Sequence, residues 1–238
     1  MTGTEFLYAL LAGVIPSMVW LFFWTREDSD QPEPRALLAA CFLGGMLAVL
    51  LAIPAEKYVA TLVSDQSYQY LFWAAIEEAF KLIAVLSIAF MSRWNDEPID
   101  AMIYFIAVAL GFAALENVLF ILGSVSDGGL ASSVVTANMR FFGATLVHVV
   151  SSSLIGFGLG LTFFRGRLAK VIGGLAGLAA ATAIHAAFNL TVVNSGPNDT
   201  LRIFAWVWAG VVIVIVLFEE IKAVRPADAP AINTSRLT

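Results

Sequence analysis

Two glutamates and a lysine interrupt an otherwise apolar run, Phe72-Trp-Ala-Ala-Ile-Glu77-Glu78-Ala-Phe-Lys81-Leu-Ile-Ala-Val-Leu86. At helical spacing Glu77 and Lys81 share one face, with Glu78 beside them three residues from Lys81. A charge near the centre of a membrane helix costs about 2.5–3.5 kcal/mol to insert. The apolar flanks offset that cost without explaining it. An ion pair that fixes helix packing would explain it, and so would a polar site inside the membrane. Six further positions decide in favour of a site: Glu116, Arg140, His148, Ser152, His185 and Asn189, with Asn117 next to the first. All fall in or at the ends of apolar stretches, and His148 and His185 are the only histidines in the chain.

These groups suit hydrolysis of an amide. A carboxylate withdrawn from water stays ionised when a cation is close, and Lys81 is placed to be that cation. Glu77 would then take a proton from water, with Glu78 as its support or an alternate ligand. Histidine and asparagine opposite would donate to an oxyanion or fix the water. Glu77, His148 and His185 are equally a ligand set for zinc, with Glu116 left as base. The cofactor therefore stands open between none and a divalent metal. No His-x-x-x-His pair occurs on one helix. Asn189 stands where the second imidazole would be, a poor ligand but a good amide donor, which tilts the reading toward a metal-independent glutamate mechanism. Single residues have plainer explanations: Ser152 can bond a carbonyl of its own helix, Asn189 can cross-link helices, and Arg140 can anchor at the interface or pair with a carboxylate. The set as a whole has none.

The elements that must position these residues are membrane helices. The 238-residue chain is 60% hydrophobic and 13% charged, with mean hydropathy +0.85, which marks an all-α polytopic membrane protein. A net charge of −5 argues against nucleic acid, so the lipid bilayer is the surface to expect as partner. Cys41 stands alone, so no intrachain disulfide or cysteine-rich metal site is available. Apolar runs long enough to span the bilayer occur about seven times, at 6–24, 36–55, 69–91, 100–122, 140–164, 168–193 and 201–218. The first lacks a basic flank and reads as a retained helix. Residues 1–225 form one unit, and 226–238 read as a disordered tail. With Lys81 set aside as intramembrane, nine basic residues fall in the odd-numbered loops and the tail against three elsewhere, which puts the N-terminus outside and the C-terminus in the cytoplasm. Oligomeric state leaves no mark in the sequence.

Helical rise then places the polar groups. His148 and His185 lie almost equally far on either side of Gly166, roughly 28 Å from that turn. Glu77 and Glu116 flank the turn at Asp96-Glu97 by roughly 29 Å. Both turns fall on the cytoplasmic side, so all four groups share a plane roughly 9–14 Å below the outer surface. Glycines at 156, 158, 160, 173 and 177 fit close packing of the two histidine-bearing helices. Residues 123–139, rich in Gly and Ser, read as a long outer loop that could gate the site or merely link two spans.

The ordered series Glu77-Glu78-x-x-Lys81, Phe112-x-x-x-Glu116-Asn117, Arg140, His148-x-x-x-Ser152 and His185-x-x-x-Asn189 resembles the motifs of PrsW-type intramembrane proteases. That family is similar in turn to the CAAX prenyl endopeptidase and bacteriocin-processing superfamily. Glu116 replaces the histidine of the CAAX branch, which argues against prenylated substrates. The resemblance implies an integral protein of the bacterial cytoplasmic membrane. It also implies site-one cleavage of a membrane-anchored protein near the outer face, as in anti-sigma-factor release. The competing classes are a proton- or metal-coupled transporter and an inactive relative that only binds. The missing inverted repeat and the off-centre depth of the polar groups count against transport.

Overall fold

A computed structural model describes residues 2–28, 31–196 and 199–226, and the side chains of all these except 130 and 131. The described residues form seven α-helices and no strand. They are α1 (Gly3–Trp24), α2 (Arg35–Leu62), α3 (Gln66–Ile88), α4 (Asp100–Met139), α5 (Thr145–Leu161), α6 (Arg167–Val193) and α7 (Thr200–Lys222). A π-helical turn, Arg140–Ala144, joins α4 to α5. Local sequence sets several ends. Thr2 and Glu5 close a capping box on α1, and Asp65 accepts the amides of Ser67 and Tyr68 at the start of α3 (2.8 and 3.1 Å).

Three differences from the sequence expectation stand out. Among the described residues six stretches, not seven, are long and apolar enough to cross a membrane; α3 is not among them, since Glu77, Glu78 and Lys81 all fall in its middle. The second helix is longer than the expected run 36–55: α2 passes through Pro54 and runs on to Leu62. The expected outer loop 123–139 is helical: α4 continues through it, breaks only at Gly129 (φ 71°), and resumes in Ser132–Leu161, the fourth of the six apolar stretches. Glycine supplies that positive φ without a Cβ clash. Ser124 Oγ lies 3.0 Å from Ser132 Oγ and 2.9 Å from Thr136 Oγ1, tying the two arms of the break together. The tail from 227 onward lies outside the described residues.

The first arm of α4 is the axis of the protein. Every residue from 100 to 114 is buried, enclosed by α1, α2 and α5, while α3 packs on α2 and α6. Outward faces carry large apolar side chains such as Phe22, Leu43 and Trp206 (63%, 62% and 74% exposed), the surface a lipid-facing helix requires. Glycine permits the closest crossings. A Cβ on Gly111 would fall 1.8 Å from the Phe42 carbonyl oxygen, and one on Gly158 would fall 2.3 Å from that of Gly173. The α5–α6 approach expected from the glycine spacing is therefore a backbone contact. Gly111→Ala should lower stability by about 1–3 kcal/mol, since neither backbone can yield cheaply. Gly123→Ala, with nothing within 4 Å, should be neutral or stabilising. Thermal unfolding of the two variants in detergent checks this.

Candidate active site

Helices α3, α4, α5 and α6 bring the intramembrane polar residues into one network. Glu78 is its best-satisfied member. Its Oε1 accepts from Lys81 Nζ (2.8 Å), His185 Nδ1 (2.9 Å) and Ser151 Oγ (3.1 Å), and its Oε2 accepts from Ser152 Oγ (2.6 Å). Full satisfaction is what allows a carboxylate with no exposed surface to persist. Lys81 thus pairs most closely with Glu78; Glu77 Oε2 lies 3.7 Å from its nitrogen. The ammonium also donates to His148 Nδ1 (2.9 Å) and sits 4.3 Å from the centre of the Phe112 ring.

Proton positions follow from these partners. Lysine has only donors, so His148 Nδ1 accepts, and His148 Nε2 donates to Glu116 Oε2 (2.9 Å). Arg140 binds the same Glu116 oxygen and holds Asn117 Oδ1, while Asn117 Nδ2 donates to Thr145 Oγ1 (2.9 Å). His185 Nδ1 carries the proton given to Glu78, so its Nε2 presents a lone pair. That lone pair faces Glu77 Oε2 at 3.7 Å, and His148 Nδ1 lies 3.8 Å from the same oxygen. Glu77 Oε2 is buried with no hydrogen-bond partner. A carboxylate oxygen and two imidazole nitrogens therefore converge with no proton between the carboxylate and either ring. One ligand atom from each of Glu77, His148 and His185 falls within 4.8 Å of the other two, a spacing and donor set suited to a metal ion. The two-histidine, one-carboxylate composition is that of catalytic zinc sites. The slight preference for a metal-free mechanism fits less well with this unpartnered oxygen.

A cavity of about 770 Å³ opens on the network. Glu77, Glu116, Arg140, His148, His185 and Asn189 line it, so the residues expected to share a depth do meet in one space. Lys81, Glu78 and Ser152 stand behind that wall. Ser152 was expected to bond a carbonyl of its own helix, but its hydroxyl goes to Glu78. Sequence reading missed Ser151, which donates to Glu78, and Thr145, which anchors Asn117. The Ser151-Ser-Ser153 run was the available signal for the first, because three adjacent hydroxyls on an apolar helix need partners.

A second acidic cluster, Asp28, Glu33 and Asp100, gathers at the start of α4 and takes no part in this network. The Tyr104 hydroxyl lies 2.5 Å from Glu33 Oε2, Asp100 accepts the amides of Asp96 and Glu97 (2.9 and 2.6 Å), and burial pushes the Glu33 carboxyl above its usual range.

A model of the PrsW family of intramembrane metalloproteases matches residues 33–218. The chain is similar to Protease PrsW of Geobacillus kaustophilus, 31% identical over 159 residues that cover 64% of this chain and 66%, just under two thirds, of that protein. It is similar also to Protease PrsW of Bacillus subtilis, 24% identical over 202 residues that cover 83% of this chain and 89% of that one. No solved structure matches.

Proposed function

The chain belongs to the PrsW family of intramembrane metalloproteases, and from that premise we propose that it is a zinc-dependent endopeptidase that cuts a membrane-anchored protein inside the bilayer, toward the outer face. The unpartnered Glu77 Oε2, buried between two imidazole nitrogens beside a cavity, is the observation that supports it most. Glu77, His148 and His185 would hold the metal, which would take the His148 Nδ1 lone pair in place of the Lys81 ammonium. The ion would supply an acidified water and polarise the scissile carbonyl.

The chain's own residues do the rest. Arg140 and His148 both reach Glu116 Oε2, which leaves Oε1 to take the proton of the attacking water and pass it to the leaving amine. Asn189, lining the cavity one turn from His185, would donate its amide to the oxyanion. Glu78 fixes the His185 ring through Nδ1 and keeps Lys81 in place, as an outer carboxylate does for a metal-binding imidazole. Asn117 and Ser152 are positioning residues, the first for Arg140 and the second for Glu78.

In this proposal α3 crosses the membrane as a seventh span with its charges turned toward the site, so the termini lie on opposite faces. The excess of basic residues in the odd loops supports an outer N-terminus and a cytoplasmic C-terminus. The substrate would be a single-pass protein of the anti-sigma-factor type in a bacterial cytoplasmic membrane. A single-span reporter incubated with the purified protein in nanodiscs tests this. Exhaustive chelation should abolish cleavage, stoichiometric zinc should restore it, and the new N-terminus should map to the outer third of the span. Cuts confined to the water-exposed flanks of the reporter would sink the intramembrane assignment.

A further inference from the structure

One carboxylate in the cavity remains unassigned. Glu56 comes from α2, outside the motif series, and lines the same space as Glu77 and Glu116. The charged residues on the cavity wall are therefore three carboxylates, Glu56, Glu77 and Glu116, against one guanidinium, Arg140. Arg140 is spent on Glu116, and Lys81 on Glu78 and His148. Among the described residues no cation lies within ion-pairing distance of Glu56, and it contributes no atom to the Glu77-His148-His185 group. Neighbouring Lys57 follows it directly on the helix, about 100° around the axis, and is exposed.

Two aromatic side chains from α3 complete the surroundings. Trp73 and Tyr70 line the same cavity with ring centroids 5.3 Å apart in an edge-to-face pair. The Trp73 indole N–H donates to the Glu56 backbone carbonyl (3.2 Å), which pins the indole to the residue that carries the acid. An acid without a counter-ion beside two aromatic rings is a receptor for an organic cation, since the carboxylate supplies charge and the ring faces attract an ammonium or guanidinium. A metal ion has no comparable use for the rings.

We propose that Glu56, Trp73 and Tyr70 form a subsite that takes a lysine or arginine side chain of the substrate segment lying in the cavity. The subsite rests on the protease reading above and refines it: the bond cut is one with a basic residue nearby on the outer side. A lysine in the outer third of a span normally extends toward the interface, and the subsite offers it a partner on that path.

Fluorescent single-span peptides with neutral spans test this. Each carries lysine, norleucine or glutamate at one of successive positions in the outer third, and binding is measured to the Glu77→Gln protein in nanodiscs. The lysine peptide should bind about tenfold tighter than its norleucine counterpart at one position or two adjacent ones, the scale of one charge-assisted contact. Adding Glu56→Gln should abolish the preference, and adding Glu56→Lys should reverse it toward the glutamate peptide. The Gln change keeps the side-chain shape and the backbone carbonyl that Trp73 uses, so the cavity should survive it. Equal binding of lysine and norleucine peptides at every position overturns the subsite, as does a preference that survives Glu56→Gln. Cleavage of the same peptides by the unmodified protein is read separately. Cleavage without a lysine preference removes the subsite alone, whereas a Glu56-dependent preference with no cleavage removes the protease reading and leaves a cation-binding cavity.

Discussion

Glu77→Gln should lower cleavage of a single-span reporter by on the order of a thousandfold or more while leaving insertion, and thermal unfolding compared after chelation, unchanged. Glu77 Oε2 receives no hydrogen bond, so the fold loses none when the charge is removed. Lys81 keeps its closer partner, Glu78, at 2.8 Å. What disappears is the negative ligand between His148 and His185, and an amide oxygen binds a dication much less strongly than a carboxylate does. Immunoblotting of the reporter, with unfolding midpoints for both proteins in detergent, checks both halves. Normal turnover by the variant would remove Glu77 from the mechanism.

Glu78→Ala should act in the opposite sense, on the fold first. The change removes the acceptor that Lys81 Nζ, His185 Nδ1 and the hydroxyls of Ser151 and Ser152 share; Ser151 keeps the Val147 carbonyl (2.9 Å) and Lys81 keeps His148 Nδ1, while His185 Nδ1 and Ser152 lose the bond outright. Lys81 has no exposed surface, and breaking a buried ion pair from one side costs about 3–5 kcal/mol because the remaining charge cannot reach water. Glu78→Ala combined with Lys81→Met should recover part of that loss, since the orphaned ammonium is gone. Unfolding midpoints of the single and double variants decide it. If the double variant is the less stable, Lys81 has another compensating partner and Glu78 is not the centre of the network.

The sequence carried the meeting of the four polar groups better than their wiring. Helical rise from Gly166 and from the Asp96-Glu97 turn was enough to put Glu77, Glu116, His148 and His185 together, because rigid helices joined by short turns convert residue counts into height. Which glutamate holds Lys81 was not legible. Neighbours at i+3 and i+4 are equivalent in a bare helix, and the choice of Glu78 comes from Ser151, Ser152 and His185 on other helices. Composition misled at 123–139, where Gly128-Gly129 and several serines read as loop. A single glycine at positive φ makes the break, and the Ser124 hydroxyl bonds those of Ser132 and Thr136 across it. Glu56 gave no signal at all, since a lone glutamate beside a lysine near a helix end looks like an interfacial charge. Its cavity partners, Tyr70 and Trp73, lie on another helix.

Metal content most directly tests the claim that Glu77, His148 and His185 form a metal-dependent centre. The protein, purified without chelators, should carry about one zinc per chain, the stoichiometry of a single three-ligand catalytic site. His185→Ala and His148→Ala should each lose most of it. The Glu116→Gln protein, altered outside the ligand set, should keep it. Full cleavage of the reporter by protein shown to contain no metal would contradict this account.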